Sequence, residues 1–101
     1  MIIAFLAMYV YLFNADFSIC NATGFQYGPC AIYQNNQYYV FWTDHRFQQI
    51  DSSRALLGAR VSTAGTVIDP DGKVIFRRQA FCYPAVAYDG VNFLVVFGDS
   101  V

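Results

Sequence analysis

Short apolar runs separated by turn residues, with little apolar–polar alternation inside them, form the main pattern along this chain. The clearest case is the run at residues 84–88, followed by the turn pair Asp89-Gly90 and a second run at residues 92–97. The runs contain Val, Tyr and Phe, which favour strands, and Asp-Gly accepts the positive φ of a two-residue turn. The pattern therefore predicts a β-hairpin.

An earlier segment repeats this pattern 55 residues upstream. Strands are predicted over residues 31–34 and 37–42, with Asn35-Asn36 in the turn. Across the 16 positions aligned at this spacing, Pro, Tyr, Val and Asp coincide at four, and aromatic replaces aromatic at 38/93 and 42/97. Residues 13–16 align more weakly with 68–71. Repeats of this length are typical of solenoids, propellers or arrays.

Two further strands are predicted between the hairpins. Residues 44–53 are polar and predict a loop, after which Arg54–Ser62 is a third strand. Residues 62–65 predict a turn and residues 66–69 a fourth strand. Asp69-Pro70-Asp71-Gly72 then predicts another turn, because Pro presets φ and Gly accepts a positive φ. Each repeat is thus expected to contain four strands.

The return strands of both hairpins are apolar on both sides. Residues 38–42 and 93–97 do not alternate between apolar and polar side chains. A strand with that pattern must be covered on both of its faces. Sheets that stack face to face, as blades do around a propeller axis, meet this requirement. We therefore expect an all-β fold of antiparallel, four-stranded, propeller-blade-like repeats that form an incomplete propeller.

Two motifs of the chain resemble repeats found in large secreted or surface bacterial proteins. Residues 57–72 read LGARVSTAGTVIDPDG, and residues 84–97 read PAVAYDGVNFLVVF. The family alternates a "GARVS..G.V.DP.G" segment with a "P.VAYDG..YLVVW.D.R" segment and is regarded as β-propeller-like. The resemblance covers residues 26–101 well and 13–25 loosely, but does not extend to the first 12 residues. It implies a scaffold and a location, and it carries no catalytic signature.

The repeat spacing divides the chain into three parts. Residues 1–25 are an apolar N-terminal segment with the tail of a preceding repeat, 26–80 a complete repeat, and 81–101 the start of the next. Repeat arrays need roughly three or more units to bury their faces, so we expect a fragment of a longer array. The apolar run at 2–13 is too short for a membrane-spanning helix, which needs about 20 residues. It fits a signal peptide, a diverged strand or an unrelated start sequence.

Composition supports the all-β prediction and excludes several classes of protein. The 101 residues are 56% hydrophobic, 19% aromatic and 13% charged, which excludes a disordered tail. All seven acidic residues are Asp and Lys73 is the only lysine, so common helix formers are scarce. A net charge of −1 gives no electrostatic reason to bind nucleic acid or anionic lipid.

His45, the single histidine, raises the question of a Ser-His-Asp arrangement with Asp51 and one of the two serines that follow it. The sequence around those serines does not resemble a nucleophile elbow. We expect instead that Asp44 and Arg46 pair or cap the loop after the strand, and that His45 is exposed. We assign no catalytic residue.

The segment Asp69-x-Asp71-Gly72 hints at calcium, which prefers clustered oxygen ligands. An EF-type loop also needs a third ligand before the glycine and a Glu downstream, and this chain contains no Glu. A turn between strands explains the same residues. We therefore predict no metal and no cofactor.

The three cysteines are an odd number and contain no C-x-x-C pair. One histidine cannot complete a usual zinc set with them. In a secreted protein, Cys30 and Cys82 are the best candidates for a disulfide, since both precede inner strands of neighbouring repeats. The alternative is that Cys20, Cys30 and Cys82 are small buried hydrophobic residues.

These observations favour a non-enzymatic binding or spacer scaffold of a secreted or cell-surface bacterial protein. Its expected partners are neighbouring repeats of a longer chain and a protein or carbohydrate ligand, with Tyr27, Tyr33 or Tyr83 as candidate aromatics for stacking on sugars. We expect no nucleic-acid partner and no membrane span. The alternatives are a fragment of a propeller-type glycan hydrolase whose catalytic residues lie outside this stretch, and a small protein that retains no activity.

Overall fold

The described part of the chain is all-β and antiparallel, as the sequence predicts. A computed structural model describes residues 17–78 and 80–99, without the side chains of Phe81, Cys82 and Asp99. The apolar run at 2–13 lies outside this part. The elements are β1 (Gln26–Gln34), β2 (Gln37–Asp44), α1 (Gln48–Asp51), β3 (Arg54–Ser62), β4 (Lys73–Arg78), β5 (Ala80–Tyr88) and β6 (Phe93–Asp99).

The strands form two sheets that pack face to face. One is a four-stranded sheet in the order β1-β2-β3-β4, and the other is the two-stranded β5–β6 hairpin. β5 lies against β1, β2 and β3 of the four-stranded sheet. Within residues 17–78 and 80–99 these sheets do not close into a propeller.

Both predicted hairpins are confirmed, although the second turn spans Asp89 to Asn92 and is longer than the predicted Asp89-Gly90 pair. Local chemistry explains both turns. Asn35 and Asn36 adopt φ values of 55° and 62°, which is the geometry of the two-residue turn that matches strand twist. In the second hairpin the Asp89 carboxylate accepts hydrogen bonds from the backbone N–H groups of Val91 (2.9 Å) and Asn92 (2.8 Å). Asp89 therefore satisfies donors that the turn leaves without a ladder partner.

The prediction of a strand at residues 66–69 is wrong. Within this stretch Val67 makes an isolated bridge to Val61, and no named strand includes it. The predicted turn that follows is present, with the Gly72 N–H donating to the Asp69 carbonyl at 3.0 Å. Because Pro70 has no N–H and the turn starts at Asp69, the segment is too short to form a ladder.

The fourth strand is instead β4, which pairs with β3 at the edge of the sheet. Its sequence carries Lys73, Arg77 and Arg78, and charged residues on an edge strand oppose pairing with another chain. The other boundaries are close to prediction, although β1 and β5 start four to five residues earlier than expected. The predicted loop at 44–53 contains the single-turn helix α1.

The four-stranded sheet is covered on both faces around Phe41 and Trp42, as the two-sided apolar pattern of β2 predicts, whereas Tyr38 at the other end of β2 is exposed. On one face, Phe41 and Leu56 pack with side chains of the β5–β6 hairpin, namely Ala80, Val86, Val95 and Phe97. On the other face, Trp42 and Leu57 pack with Ile19, Cys20 and Phe47. Successive residues of one strand thus contribute to two separate clusters, because side chains alternate across a sheet.

Strand β6 departs from the prediction that both faces are covered. Phe93, Val95 and Phe97 face the four-stranded sheet, whereas Leu94 and Val96 are exposed on the opposite side. The apolar pattern of β6 is the same as that of β2, so the difference arises from what lies over the strand.

The two hairpins pair in the same register at the 55-residue spacing. Cys30 lies opposite Phe41 in the first hairpin, and Ala85 lies opposite Val96 in the second. The next three pairs along each ladder correspond in the same way. Each first strand also has a register shift near its start, and the shift in the second hairpin is one residue longer.

Candidate functional site

Asp44, at the end of β2, is a fully buried carboxylate whose two oxygens both accept hydrogen bonds. Oδ2 accepts from Trp42 Nε1 (2.9 Å) and from an Arg46 terminal nitrogen (2.9 Å). Oδ1 accepts from the Arg46 backbone N–H (2.8 Å) and from Arg46 Nε (3.0 Å). The predicted pairing of Asp44 with Arg46 is confirmed.

The charge state of Asp44 follows from these contacts. Burial by itself raises the pKa of Asp44, but the hydrogen bonds from Arg46 and Trp42 outweigh it and hold the pKa below its usual range. Arg46 also donates to the Asp71 carbonyl at 2.7 Å and to Cys20 Sγ at 3.3 Å. Through Arg46, the ionised Asp44 carboxylate links the end of β2 to the Asp69–Gly72 turn. A carboxylate held in this way is poorly suited to accept a proton.

Of the candidate residues of a Ser-His-Asp arrangement, the structure brings Asp51 and Ser53 together but not His45. Ser53 Oγ donates to Asp51 Oδ1 at 2.6 Å, and Arg77 pairs with Asp51 Oδ2 at 2.8 Å. The Arg77 guanidinium lies 3.5 Å from the centroid of the Phe47 ring. His45 packs elsewhere, at the junction of β1 and β2. Asp51 and Ser53 therefore belong to a structural cluster around Arg77.

The two carboxylates of the Asp69–Gly72 turn have separate partners. Arg60 donates from Nε and from a terminal nitrogen to Asp69, each at 2.9 Å, and Lys73 Nζ lies 3.5 Å away. The Arg60 side chain holds the pKa of Asp69 far below its usual range, against the opposing effect of burial. Asp71 Oδ1 accepts from the Asn21 backbone N–H at 2.7 Å. Over residues 17–78 and 80–99, no three His, Cys, Asp or Glu side chains are grouped to hold a metal.

His45 is half-buried, so the prediction that it is exposed is wrong. Its ring makes edge contacts with Tyr27 (centroids 5.2 Å apart) and Phe25 (6.1 Å). Tyr27 in turn makes an edge contact with Tyr83 at 5.9 Å. The antiparallel pairing of β1 and β2 brings Phe25 and Tyr27 to His45, and the His45 backbone N–H donates to the Phe25 carbonyl at 2.8 Å.

This aromatic end cluster, formed by Phe25, Tyr27, His45 and Tyr83, includes two of the three aromatics that the sequence singled out for sugar stacking. Tyr83 and Phe25 are exposed, whereas Tyr27 is half-buried. Sequence reasoning missed Phe25 and did not place His45 beside these aromatic rings. The hairpin register could have found both, because the residue before β1 must lie beside the residue after β2.

The pKa of His45 predicts a pH dependence of stability. Burial lowers this pKa below 6.5, the nearby Arg54 lowers it further, and Asp44 partly opposes both. His45 Nε2 is buried without a hydrogen-bond partner among the described residues. The unfolded chain therefore binds the proton more readily than the folded chain, and stability is lost as the pH falls below the unfolded value.

We expect the free energy of unfolding, measured by urea titration, to fall as the pH is lowered from about 7.5 to about 5.5, a window around the usual histidine pKa. The His45→Gln variant should show a smaller slope in this window. The lowered pKa values of Asp44 and Asp69 keep these carboxylates ionised there. Equal slopes in the two proteins would contradict the assignment to His45.

The cysteines do not form the disulfide that was considered for a secreted protein. Cys20 and Cys30 are free thiols, and the side chain of Cys82 lies outside the described residues. Cys30 packs between the sheets, and burial raises the pKa of its thiol despite a backbone hydrogen bond at Phe41. Cys30 therefore behaves as a small, half-buried hydrophobic residue.

A second exposed surface lies on the β5–β6 hairpin, on the side away from the four-stranded sheet. Four uncharged residues form it, and cross-strand pairing places them on one face: Ala85 opposite Val96, and Ala87 opposite Leu94. We call these four residues the head face. A contiguous exposed apolar surface is typical of a contact with another surface.

Comparisons of the chain with protein-family models, with curated proteins and with solved structures found no match. In the part of the chain that the structure describes, no helix has the length and apolar character needed to cross a membrane.

Proposed function

We propose that this chain is a non-enzymatic segment of a β-repeat scaffold, in which antiparallel sheets of the propeller-blade type stack face to face. The observation that carries this proposal is the common register of the two hairpins together with the packing of the second on the first. Two units of one kind, stacked in the order of the chain, are the basic relation of a repeat array.

The packing of charged side chains supports a scaffold role for the described residues themselves. Asp44, Asp51 and Asp69 each pair with an arginine, and Asp89 accepts hydrogen bonds within its own turn. A glycan hydrolase requires two carboxyl groups that can exchange protons across a substrate. The described carboxylates instead join strand ends to neighbouring loops, which is a structural role.

The resemblance to repeats of secreted and surface bacterial proteins supports the proposed location. In that setting the neighbouring repeats of a longer chain are the proposed partners of this segment. The exposed rings of Phe25 and Tyr83 add a surface on which a protein or carbohydrate ligand could stack, at one end of the β1–β2 hairpin.

Completing the second sheet tests the repeat proposal. Asp44 and Asp99 are equivalent at the 55-residue spacing, so a copy of residues 45–78 can be joined directly after Asp99, in place of residues 100–101. The copy supplies a third and a fourth strand beside β6. We expect the midpoint of thermal unfolding to rise, with about 4–8 °C for each kcal/mol of added stability in a domain of this size.

The matched control is the same extension with Asp at the two positions copied from Leu56 and Leu57. It has the same length, but it cannot form the two apolar layers that these residues form in the first sheet. The control should leave the unfolding midpoint of the original part unchanged. If the unmodified extension also left that midpoint unchanged and gave no added strand signal by circular dichroism, the repeat proposal would be wrong.

A further inference from the structure

The head face corresponds, position by position, to a face that is covered within the same chain. At the 55-residue spacing, Leu94 and Val96 are equivalent to Tyr39 and Phe41. Phe41 is 8% exposed because the β5–β6 hairpin lies over it. Leu94 is 64% exposed and Val96 58% exposed. Residues at equivalent places in the two hairpins therefore differ only in whether a further sheet covers them.

The opposite face of the molecule shows the complementary relation. The side of the hairpin that packs on the four-stranded sheet includes Phe93, whose ring centroid lies 4.3 Å from that of Tyr39. The residue equivalent to Phe93 is Tyr38, which is 44% exposed on the far side of β2. Its cross-strand neighbour Tyr33 is 49% exposed, with the two ring centroids 5.0 Å apart.

We call the exposed surface of Ala31, Tyr33 and Tyr38 the tail face. It is the part of the outer side of β1 and β2 that the cluster around Trp42 leaves open, since Ile19, Cys20 and Phe47 cover only the Trp42 end. The tail face, like the head face, contains no charged residue. Two uncharged surfaces can come together without the desolvation cost of burying ions.

The contact between the two sheets within the chain indicates how these faces fit. There, the residues of the second hairpin that are equivalent to the tail face pack on the residues of the first hairpin that are equivalent to the head face. If the same packing were repeated between two molecules, the tail face of one would lie on the head face of the other. The partner that fits the head face on these grounds is a second copy of this chain.

We propose that copies of this chain associate head to tail, with the tail face of one copy packed on the head face of the next. The inference rests on the proposed function, because it takes the two hairpins as equivalent units. Such a contact is heterologous, so each added copy still presents one free head face and one free tail face. The association is therefore open-ended and concentration-dependent.

Two single-face variants test this geometry by sedimentation equilibrium of the full chain. We expect the average mass of the unmodified protein to rise with concentration above the monomer mass of 11.4 kDa. Leu94→Lys removes a usable head face and Tyr38→Lys a usable tail face, so each variant alone should weaken association at least tenfold. An equimolar mixture should form a discrete dimer, because each variant retains the face that the other lacks.

The control is Ile50→Lys, the same kind of change at a residue of α1 that is 74% exposed and belongs to neither face. It should associate like the unmodified protein. Val96→Lys and Tyr33→Lys provide a second pair, in case one of the first variants fails to give the strand signal of the folded protein.

Three results would overturn the proposal. If Leu94→Lys abolished association while Tyr38→Lys did not, the contact would be head to head. If the mixed variants gave no dimer, association would be unspecific adhesion of apolar surface. If the unmodified protein stayed monomeric at all concentrations, copies would not use these faces, whereas the extension experiment could still support the repeat proposal.

Discussion

Replacing Asp44 with alanine is expected to destabilise the protein by about 3–5 kcal/mol, because it removes one partner of a buried ion pair. The Arg46 guanidinium would lose the carboxylate to which it donates, and Trp42 Nε1 would lose its acceptor inside the sheet. Since small domains are stable by only about 5–15 kcal/mol, the variant should be close to unfolding at room temperature. Urea unfolding followed by tryptophan fluorescence measures the loss directly, because Trp42 is the only tryptophan.

Asp51→Ala is the matched control. It removes the same kind of Asp–Arg pair, with Arg77 as the partner, at a site where the carboxylate side chain is exposed. We expect a clearly smaller loss of stability, because water replaces the missing contacts of an exposed pair. If the two variants lost similar amounts of unfolding free energy, the burial of Asp44 would not explain its contribution to stability.

A double-mutant cycle with Arg46→Ala separates the pair from its surroundings. The loss in the Asp44→Ala/Arg46→Ala protein should be smaller than the sum of the two single losses, because the double variant buries no unpaired charge. Additive losses would mean that the two side chains act independently.

The second large effect is expected from Leu56→Ala and Leu57→Ala, each at about 2–5 kcal/mol for a buried leucine. Both side chains are fully buried, but they face opposite sides of β3. Leu56 packs under the β5–β6 hairpin, whereas Leu57 packs with Trp42 beneath Ile19 and Cys20. The two variants therefore measure the two layers of the core separately.

Leu94→Ala is the control for this pair, because Leu94 is apolar and exposed on the neighbouring hairpin. Under dilute conditions, where copies do not associate, it should change stability by less than about 0.5 kcal/mol. A neutral Leu57→Ala would contradict the two-sided cover of the four-stranded sheet. A neutral Leu56→Ala would contradict the packing of the hairpin on that sheet.

Short-range features of the fold could be predicted because they depend on neighbours in the chain. The turns at Asn35-Asn36 and between Asp89 and Asn92 contain residues that accept the backbone geometry or cap its donors. The Asp44–Arg46 pair joins residues two positions apart, so the strand end alone indicates it. The all-β class follows from the runs of aromatic and β-branched residues.

The misassigned fourth strand shows where such reasoning stops. The stretch at 66–69 and β4 both contain β-branched residues, and no local signal says which of them forms a continuous ladder with β3. The ladder from Arg54–Arg78 to Gly58–Lys73 decides it, through contacts between residues far apart in sequence. The site has the same limit: Tyr83 lies on β5, so only the packing of the two sheets brings its ring to Tyr27.

The clearest contrast is between β2 and β6. Their sequence alone determined that both are strands with two apolar faces and that each follows a tight turn, since side-chain alternation and turn geometry are local properties. Only the tertiary structure decided that Phe41 is buried and that Val96 is exposed. Burial depends on which sheet lies over each face, and here the β5–β6 hairpin covers the first sheet while no described residue covers the hairpin's own head face.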